Sequence, residues 1–285
     1  MGDLKGKTIL VTGATSGIGL EACVVFAQRG ATVVMIGRDP ARTAAAVEQV
    51  TRRSGGSGSA ESLLCDFASQ KQIRALAEAV RAKYARIDVL VNNAGLVYEK
   101  RTLTEDGIEA TYAVNHLGPF LFTELILDRV VAAAPSRIVN VSSIGHKRAT
   151  MNLADVGFEK DYGIMKAYGR SKLGNVLFTR ALAKRLEGKN VTVNCLHPGA
   201  VATNIWSRAP AWAKPLLAVI KSLLMITPEQ GGQTLVYAAT SPELEGKTGL
   251  YLEKNRPVYP SRLAQDEALA EQVWAHSAKL VGLPA

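Results

Sequence analysis

Two side chains with complementary chemistry, Tyr168 and Lys172, lie four residues apart at the start of a segment with helical periodicity. That spacing puts both on one face of an α-helix. A phenol is a poor base at neutral pH because its pKa is about 10, but a neighbouring ammonium group favours the phenolate. Tyr168 could then accept the proton of an alcohol as a hydride leaves, or donate one to a carbonyl that is reduced. The Tyr-x-x-x-Lys pattern is weak on its own, so its meaning depends on the motifs around it.

A glycine-rich run, TGATSGIG at 12–19, joins the first predicted strand to the first predicted helix. Glycines permit a tight turn and let the backbone approach a diphosphate, and the helix N-terminus offers free N–H groups. The spacing differs from the general G-x-G-x-x-G fingerprint, so a glycine turn without a ligand stays the alternative. We interpret the run as a phosphate-binding loop with these candidate contacts: Gly13, Thr15, Ser16, Gly17, Ile18 and Gly19.

Two further motifs, YAVNH at 112–116 and IVNVSS at 138–143, add an asparagine within an apolar helical stretch and a serine pair at a strand end. With them the chain resembles the short-chain dehydrogenase/reductase family from Gly13 to about Thr203. The resemblance implies a catalytic tetrad of Asn115, Ser143, Tyr168 and Lys172. In it the serine orients the substrate oxygen, the lysine also holds the nicotinamide ribose, and the asparagine holds a proton-relaying water. Ser142 is the structural alternative to Ser143, and a purely structural amide is the alternative for Asn115.

The end of the second predicted strand, Gly37-Arg38-Asp39, indicates which nicotinamide cofactor is used. NAD enzymes carry a carboxylate about 20 residues past the glycine loop, which binds the ribose 2′-hydroxyl. In the family that acid would stand at Gly37, and glycine there removes the charge that would repel a 2′-phosphate. Arg38 can bind the phosphate through its planar guanidinium, although a solvated loop charge is the alternative. We expect Asp39 to cap the next helix, and we predict NADP(H) as the cofactor.

Three more motifs follow predicted strands, and the family resemblance makes them cofactor contacts. CDF at 65–67 implies an adenine contact, with a helix cap as the alternative for its aspartate. NNAG at 92–95 implies the adenosine ribose, with a large structural share, and PGAVAT at 198–203 implies the nicotinamide carboxamide. His197, just before the last motif, is interpreted as a packing residue. The implied contacts are Asp66, Phe67, Asn92, Ala94, Gly95, Pro198, Gly199, Val201 and Thr203.

The substrate is constrained by the 25 positions that separate Ser143 from Tyr168, about twice the spacing of common relatives. The insertion over 146–165, the Gly145-His146 pair and the SKL at 171–173 resemble the retinol-dehydrogenase-like branch. That branch implies a lipophilic alcohol, aldehyde or ketone, retinal-like or aromatic. The apolar segment 204–227 is expected to cover the substrate, with an amphipathic core helix or peripheral membrane contact as alternatives.

The elements that position these residues alternate along the chain. The predicted elements include strands over 62–65 and 89–92 and helices over 106–134, 228–240 and 263–280. Short continuous apolar runs separated by helical segments are typical of parallel strands covered on both faces. The pattern predicts an α/β fold with a doubly wound, mostly parallel sheet (a Rossmann fold), three α/β/α layers and one domain over 1–285. In such a sheet ligands bind at the carboxyl ends of the strands, where every motif above falls.

The composition bears on which partners and which cellular compartment the protein has. The 34 Lys and Arg are dispersed, so the net charge of +9 indicates a basic surface rather than a nucleic-acid site. Three sparse cysteines without metal-ligand spacing suit reduced thiols and a cytoplasmic protein, and no apolar stretch is long enough for an integral membrane segment. The resemblance is compatible with a homo-oligomer through the helices that start near Asp106 and Lys166. A non-catalytic NADP-binding regulator or redox sensor is the alternative function, which the complete tetrad disfavours.

Overall fold

The computed structural model describes residues 4–199 and 226–284, and their strands form one sheet. The strands are β1 (Thr8–Thr12), β2 (Thr32–Gly37), β3 (Ser59–Leu64), β4 (Val89–Asn92), β5 (Ser136–Val141), β6 (Val191–His197), β7 (Tyr251–Glu253) and β8 (Arg256–Val258). Their order across the sheet is β3-β2-β1-β4-β5-β6-β7-β8, and every neighbouring pair is parallel except β7 and β8. The strand order reverses between β1 and β4, and at such a switch point a doubly wound sheet binds its ligands.

Helices cover both faces of this sheet. They are α1 (Gly17–Gln28), α2 (Pro40–Ser54), α3 (Gln70–Lys83), α4 (Ala110–Tyr112), a π-helical segment (Ala113–Leu117), α5 (Gly118–Val131), α6 (Ile164–Arg185), α7 (Pro228–Thr240) and α8 (Glu267–Leu280). Apolar residues of α1, α2 and α7 form one core, and those of α3, α5, α6 and α8 form the other. The predicted three-layer, doubly wound fold is confirmed.

The central strands show why continuous apolar runs predict this fold. Side chains alternate between the two faces of a strand. In β1, Ile9 and Val11 pack in the core beside α1, whereas Leu10 packs in the opposite core. All three are fully buried, because helices exclude water from both faces.

The helix predicted over 106–134 is different in the structure. It begins only at Ala110, because the Glu109 carboxylate accepts hydrogen bonds at 2.8 Å from two main-chain N–H groups of its first turn. It is also interrupted by the π-helical segment Ala113–Leu117. Such segments are rare and occur often at functional sites.

The antiparallel strand β8 was not predicted. It pairs with β7 through a two-residue turn in which Lys254 (φ 50°) and Asn255 (φ 59°) are both left-handed. Two consecutive residues with positive φ are typical of the tightest hairpins, but such turns favour glycine, which this one lacks. Asn255, which tolerates left-handed backbone, is therefore a weak turn signal here.

Two predicted boundaries also shift. β3 begins at Ser59 rather than at 62, because Ser59 pairs with Thr32 at the end of the glycine-serine loop. The closing helix begins at Glu267 rather than at 263. Asp266 caps it, because its side chain accepts a hydrogen bond from the Leu269 N–H. Within the described part of the chain, no helix combines the length and apolar character needed to cross a membrane.

Candidate active site

The glycine loop turns sharply between β1 and α1 at the switch point of the sheet. Gly13 (φ 64°) and Gly17 (φ 60°) both have left-handed backbone, which only glycine adopts readily. A Cβ on Gly13 would lie 2.8 Å from the Cα of Ala94, so the loop also packs directly against the NNAG segment. Glycine at 13 is therefore required twice, by conformation and by contact.

Asn93 and Thr12 hold the glycine loop, and neither was among the predicted site residues. The Asn93 amide donates to the main-chain carbonyls of Thr12 (2.9 Å) and Gly13 (3.0 Å). The Thr12 hydroxyl in turn accepts from the N–H groups of Asn93 and Ala94, each at 2.9 Å. The only signal in the sequence for this role of Asn93 was the pair of asparagines in NNAG. The first of them, Asn92, makes its hydrogen bonds away from the glycine loop.

The N-terminus of α1 fits an anionic group. Ser16 stands at its N-cap but makes no capping hydrogen bond through its side chain, and no acidic residue lies in the first turn. By contrast, Asp39 caps α2, as expected, and Ser69 caps α3. Main-chain N–H groups in the first turn of a helix have no partner within the helix, so α1 leaves them available to a phosphate. The loop and helix together suit the diphosphate of a dinucleotide.

The residues predicted to select the cofactor gather at the ends of β2 and β3. Gly37 packs so closely against Thr15 and Thr43 that a Cβ would overlap both side chains. Arg38 is 56% exposed and forms an ion pair of 3.6 Å with Asp66. The cation predicted for a 2′-phosphate and the carboxylate predicted for adenine therefore lie side by side.

Two predicted cofactor contacts place their side chains in the protein interior. Phe67 is buried and packs edge-on against Phe122, with 5.9 Å between ring centroids. Asn92 donates to Thr123 Oγ1 (2.9 Å) and Asn140 Oδ1 (2.8 Å). Any contact that Phe67 makes with a cofactor must therefore use its main chain, and the Asn92 amide has a structural role between β4 and β5.

Ser143 and Tyr168 meet at the carboxyl end of β5, as predicted from their motifs. Both side chains border Gly145, where a Cβ would lie 3.6 Å from Ser143 Oγ and 3.6 Å from the Tyr168 ring. The Ser143 Oγ also accepts from the N–H of Gly145 at 3.2 Å, which leaves its proton available to a second acceptor. Burial raises the pKa of Tyr168, and the neighbouring Ser143 hydroxyl opposes that effect. The neighbouring Ser142 instead donates to the main-chain carbonyl of Lys172 at 2.9 Å, which suits the structural role.

Lys172 is buried one helical turn beyond the tyrosine. Its Nζ donates to the carbonyl of Val141 at 3.0 Å and lies 5.7 Å from the ring centroid of Tyr168. Burial lowers the pKa of Lys172 to about 8, because the ammonium loses hydration. The group therefore remains mostly charged at neutral pH, within reach of the phenol.

Asn115 lies in the π-helical segment and faces the same space. Its amide donates to Leu96 O (2.9 Å) and Ser171 Oγ (3.0 Å), and its Oδ1 accepts from Leu96 N (2.8 Å). A Cβ on Gly95 would lie 3.3 Å from the Lys172 ammonium and 3.4 Å from Asn115 Oδ1. Glycine at 95 thus keeps open the space that Asn115 and Lys172 border.

Pro198 and Gly199 follow β6 at the same edge, and Gly199 has a positive φ of 97°. Val201, Thr203 and all but the last two positions of the substrate-covering segment 204–227 lie outside the described residues. His197 is half-buried at the end of β6, next to Glu253 in the sheet register.

The insertion between Ser143 and Tyr168 is fastened to α6 by Arg170. This buried guanidinium donates to the carbonyls of Thr150 (3.0 Å) and Asp155 (2.5 Å), and it stacks 3.5 Å from the ring centroid of Phe158. Tyr162, at the other end of the insertion, donates to Tyr98 O at 2.9 Å. The segment over 149–162 therefore packs beside the residues that follow NNAG and forms an ordered border of the site.

Comparison with known proteins supports the same assignment. Residues 7–214 match the family model described as short chain dehydrogenase. The chain is 42% identical to human retinol dehydrogenase 14, over 99% of this chain and 88% of that protein. It is 38% identical to human retinol dehydrogenase 13, over 99% and 86% respectively. A crystal structure of an uncharacterised Mycobacterium paratuberculosis protein superposes with a TM-score of 0.80 at 30% identity, covering 99% of this chain and 97% of that one.

Proposed function

The chain belongs to the short-chain dehydrogenase family of oxidoreductases, and from that premise we propose an NADP(H)-dependent alcohol dehydrogenase or carbonyl reductase acting on lipophilic substrates. The observation that carries the proposal is the meeting of Ser143, Tyr168, Lys172 and Asn115 at the sheet edge that also bears the glycine loop. A non-catalytic NADP-binding regulator would have no use for this arrangement.

The proposed chemistry follows from the hydroxyl pair. NADPH, when bound, supplies the hydride to the carbonyl carbon. Ser143 donates a hydrogen bond to the carbonyl oxygen, and Tyr168 transfers its proton to that oxygen as negative charge develops. The Lys172 ammonium, 5.7 Å from the tyrosine ring, stabilises the phenolate that remains. In the reverse direction Tyr168 accepts the alcohol proton.

The proposed preference for NADP(H) rests on Gly37 and Arg38. A carboxylate at position 37 could not enter the space taken by Thr15 and Thr43, so the usual NAD contact has no room. Arg38 is more than half exposed and its partner Asp66 is 3.6 Å away, so a doubly charged phosphate could take over this weak pair.

The proposed substrate class rests on apolar side chains beside the catalytic pair. Ile144, next to Ser143, is 51% exposed, and Met165, three residues before Tyr168, is 55% exposed. Large exposed apolar groups at a site suit a lipophilic ligand. Two of the relatives are named as retinol dehydrogenases, so retinal-like and aromatic carbonyls are the first candidates.

We also propose a cytoplasmic setting, because Cys23, Cys65 and Cys195 are buried free thiols. Peripheral contact with a membrane through the segment 204–227 stays a hypothesis, as that segment lies almost entirely outside the described residues.

The test measures oxidation of NADPH and of NADH with aldehydes and ketones of increasing length, including retinal and aromatic ketones. We expect turnover with NADPH, increasing with the apolar size of the substrate. Tyr168→Phe should lose turnover by about a hundred-fold or more and still bind NADPH, because it lacks only the transferable proton. Arg38→Ala should lose the preference for NADPH over NADH and keep its turnover with NADH.

Two outcomes would contradict parts of the proposal. NADPH binding without turnover on any substrate would favour the regulator. Equal use of NADH and NADPH by the unmodified protein would overturn the role of Arg38 and leave the chemistry of Tyr168 in place.

A further inference from the structure

A buried histidine outside the predicted site contacts the catalytic serine. His146 lies in a short 3-10 helix (Ile144–Arg148) directly after Ser143 and is fully buried. Its Nδ1 lies 2.7 Å from the main-chain oxygen of Ser143, and its Nε2 lies 3.1 Å from the main-chain nitrogen of Ser261. The ring thus joins two segments that are 115 residues apart in the sequence.

These two partners fix the protonation of the ring. A carbonyl oxygen can only accept a hydrogen bond, so Nδ1 carries the proton. A main-chain N–H can only donate, so Nε2 must present its lone pair. His146 is therefore the neutral Nδ1–H tautomer, and a second proton would set two N–H groups against each other at Ser261.

The surroundings favour the same neutral form. Burial lowers the pKa of His146, and the Lys147 ammonium lowers it as well, while the hydrogen bond to the Ser143 carbonyl and the Glu253 carboxylate both raise it. Lys147 and Glu253 are paired with each other at 2.8 Å, which reduces the effect of each. The ring packs edge-on against Tyr251, with 4.7 Å between centroids, and the His197 ring also faces this cluster.

The contact with Ser143 bears on the orientation of the catalytic hydroxyl. The Ser143 carbonyl accepts both the His146 N–H (3.1 Å) and the ring Nδ1–H, and this holds the peptide that follows the serine. The Gly145 N–H, which bonds Ser143 Oγ at 3.2 Å, lies within the same turn. A rotation of that peptide would move this N–H away from Oγ, and the hydroxyl would lose its fixed position.

The contact with Ser261 depends on the unpredicted strand β8. The β7–β8 hairpin reverses the chain, and Ser261 follows three residues after β8 ends at Val258. The hairpin thus places the Ser261 N–H against the imidazole and connects the C-terminal part of the chain with the active site.

We propose that His146 is a positioning residue for the proposed reaction: as the neutral Nδ1–H tautomer, it holds the Ser143 turn and binds it to the C-terminal segment at Ser261. The inference rests on the proposed function, in which Ser143 orients the substrate oxygen.

The test compares His146→Phe, which keeps the size and the packing on Tyr251, with His146→Asn, whose amide can still donate to Ser143. We expect Phe to lower kcat by about ten-fold, the loss that one hydrogen bond gives, with little change in KM. Asn should recover part of kcat. In the unmodified protein, protonation of His146 should lower kcat at low pH, and this pH dependence should be absent in His146→Asn. His276→Asn is the matched control, because it removes a partly buried histidine of α8 away from Ser143 and should leave kcat unchanged.

Amide hydrogen exchange provides a readout without catalysis. We expect faster exchange at 144–148 and at 259–262 in His146→Phe than in the unmodified protein. Unchanged exchange together with unchanged kcat and pH profile would overturn the positioning role, as would equal losses of kcat in Phe and Asn. Absence of turnover in the unmodified protein would instead overturn the proposed function, while the exchange comparison would still test the link to Ser261.

Discussion

His116 is a second fully buried histidine, and its hydrogen bonds also define one tautomer. The Asn175 amide donates to Val141 O at 3.1 Å, so its Oδ1 is left to accept from His116 Nδ1 at 3.3 Å. His116 Nε2 then accepts from the Ser277 hydroxyl of α8 at 2.9 Å. Burial lowers the pKa of His116 from 6.5 to about 4, so the ring stays neutral at ordinary pH.

This burial predicts a pH-dependent stability. Between pH 6.5 and about 4 the unfolded chain binds a proton at His116 that the folded chain does not, so the free energy of unfolding must fall as the pH falls. A shift of this size corresponds to about 3 kcal/mol over that range. We expect urea unfolding at a series of pH values to show that the free energy of unfolding falls by about 3 kcal/mol more in the unmodified protein than in His116→Gln over this pH range. The other histidines titrate in both proteins and cancel; parallel curves would contradict the prediction.

Sequence reasoning at this scale succeeded where the chemistry is local. Tyr168 and Lys172 share a helix turn, and their spacing together with the neighbouring motifs suggested proton transfer. Asn93 and His146 were missed as supports because their partners lie 81 and 115 residues away, and only the folded sheet brings them together. Chemical type and spacing predict which residues react, but not which ones hold them.

At the scale of elements, the π-helical segment explains how the adjacent side chains of Asn115 and His116 can both contact α6. Consecutive residues on an α-helix point about 100° apart. Here both reach α6, Asn115 at Ser171 and His116 at Asn175, which are themselves one turn apart. Gly174 leaves room for the imidazole, since a Cβ there would lie 2.8 Å from its Nδ1. No pattern in the sequence predicted the π-helical segment, whose turn holds one residue more than an α-helical turn.

Residues 149–162 of the insertion depend on one side chain of α6. Arg170→Met would remove the donors that satisfy the carbonyls of Thr150 and Asp155, and would lose the stacking on Phe158. We expect the free energy of unfolding to fall by about 2 kcal/mol and amide exchange at 149–162 to increase. The substrate KM should rise more than the dissociation constant of NADPH, because the insertion borders the substrate side.

The exposed Arg148, on the other side of the serine turn, provides the control. Arg148→Met removes an arginine from the same region without the buried contacts, and it should change neither stability nor exchange. Equal behaviour of the two variants would show that the insertion is held by other contacts.

Strand and helix prediction worked for buried, regular elements and failed at the sheet edge. β4 and α7 begin and end where the sequence indicated, because apolar runs and the Thr227-Pro228 start are strong signals. β8 contains Pro257 and is mostly exposed, so neither hydrophobicity nor propensity marks it as a strand. Its existence follows from pairing with β7 alone.

At the scale of the whole molecule, α8 changes the expectation for assembly. The resemblance is compatible with a homo-oligomer that forms through α5 and α6, but α8 of the same chain packs against both helices. Trp274 meets Phe120 and Phe178 with ring centroids 5.0 Å and 5.8 Å apart, and the Arg185 guanidinium lies 3.9 Å from the Trp274 ring centroid. We therefore predict that this face is not a subunit interface.

Light scattering over a concentration series, combined with amide exchange, tests that prediction. Any oligomer should leave the exchange of α5 and α6 independent of protein concentration. Trp274→Ala should lower the free energy of unfolding by about 3 kcal/mol or more and promote association through the uncovered aromatic face. Concentration-dependent protection of α5 and α6 in the unmodified protein would contradict it.

The packing of Gly37 also bears on how coenzyme choice could be redesigned, or could have changed over time. Introducing an aspartate there to recruit NAD would first collide with Thr15 and with Thr43, whose hydroxyl donates to the Asp39 carbonyl at 2.6 Å. A smaller residue at 43 would have to precede the new carboxylate, and that step alone weakens the first turn of α2. Under the proposed preference for NADP(H), a change of coenzyme would therefore need a change at a neighbouring position as well as the new carboxylate at 37.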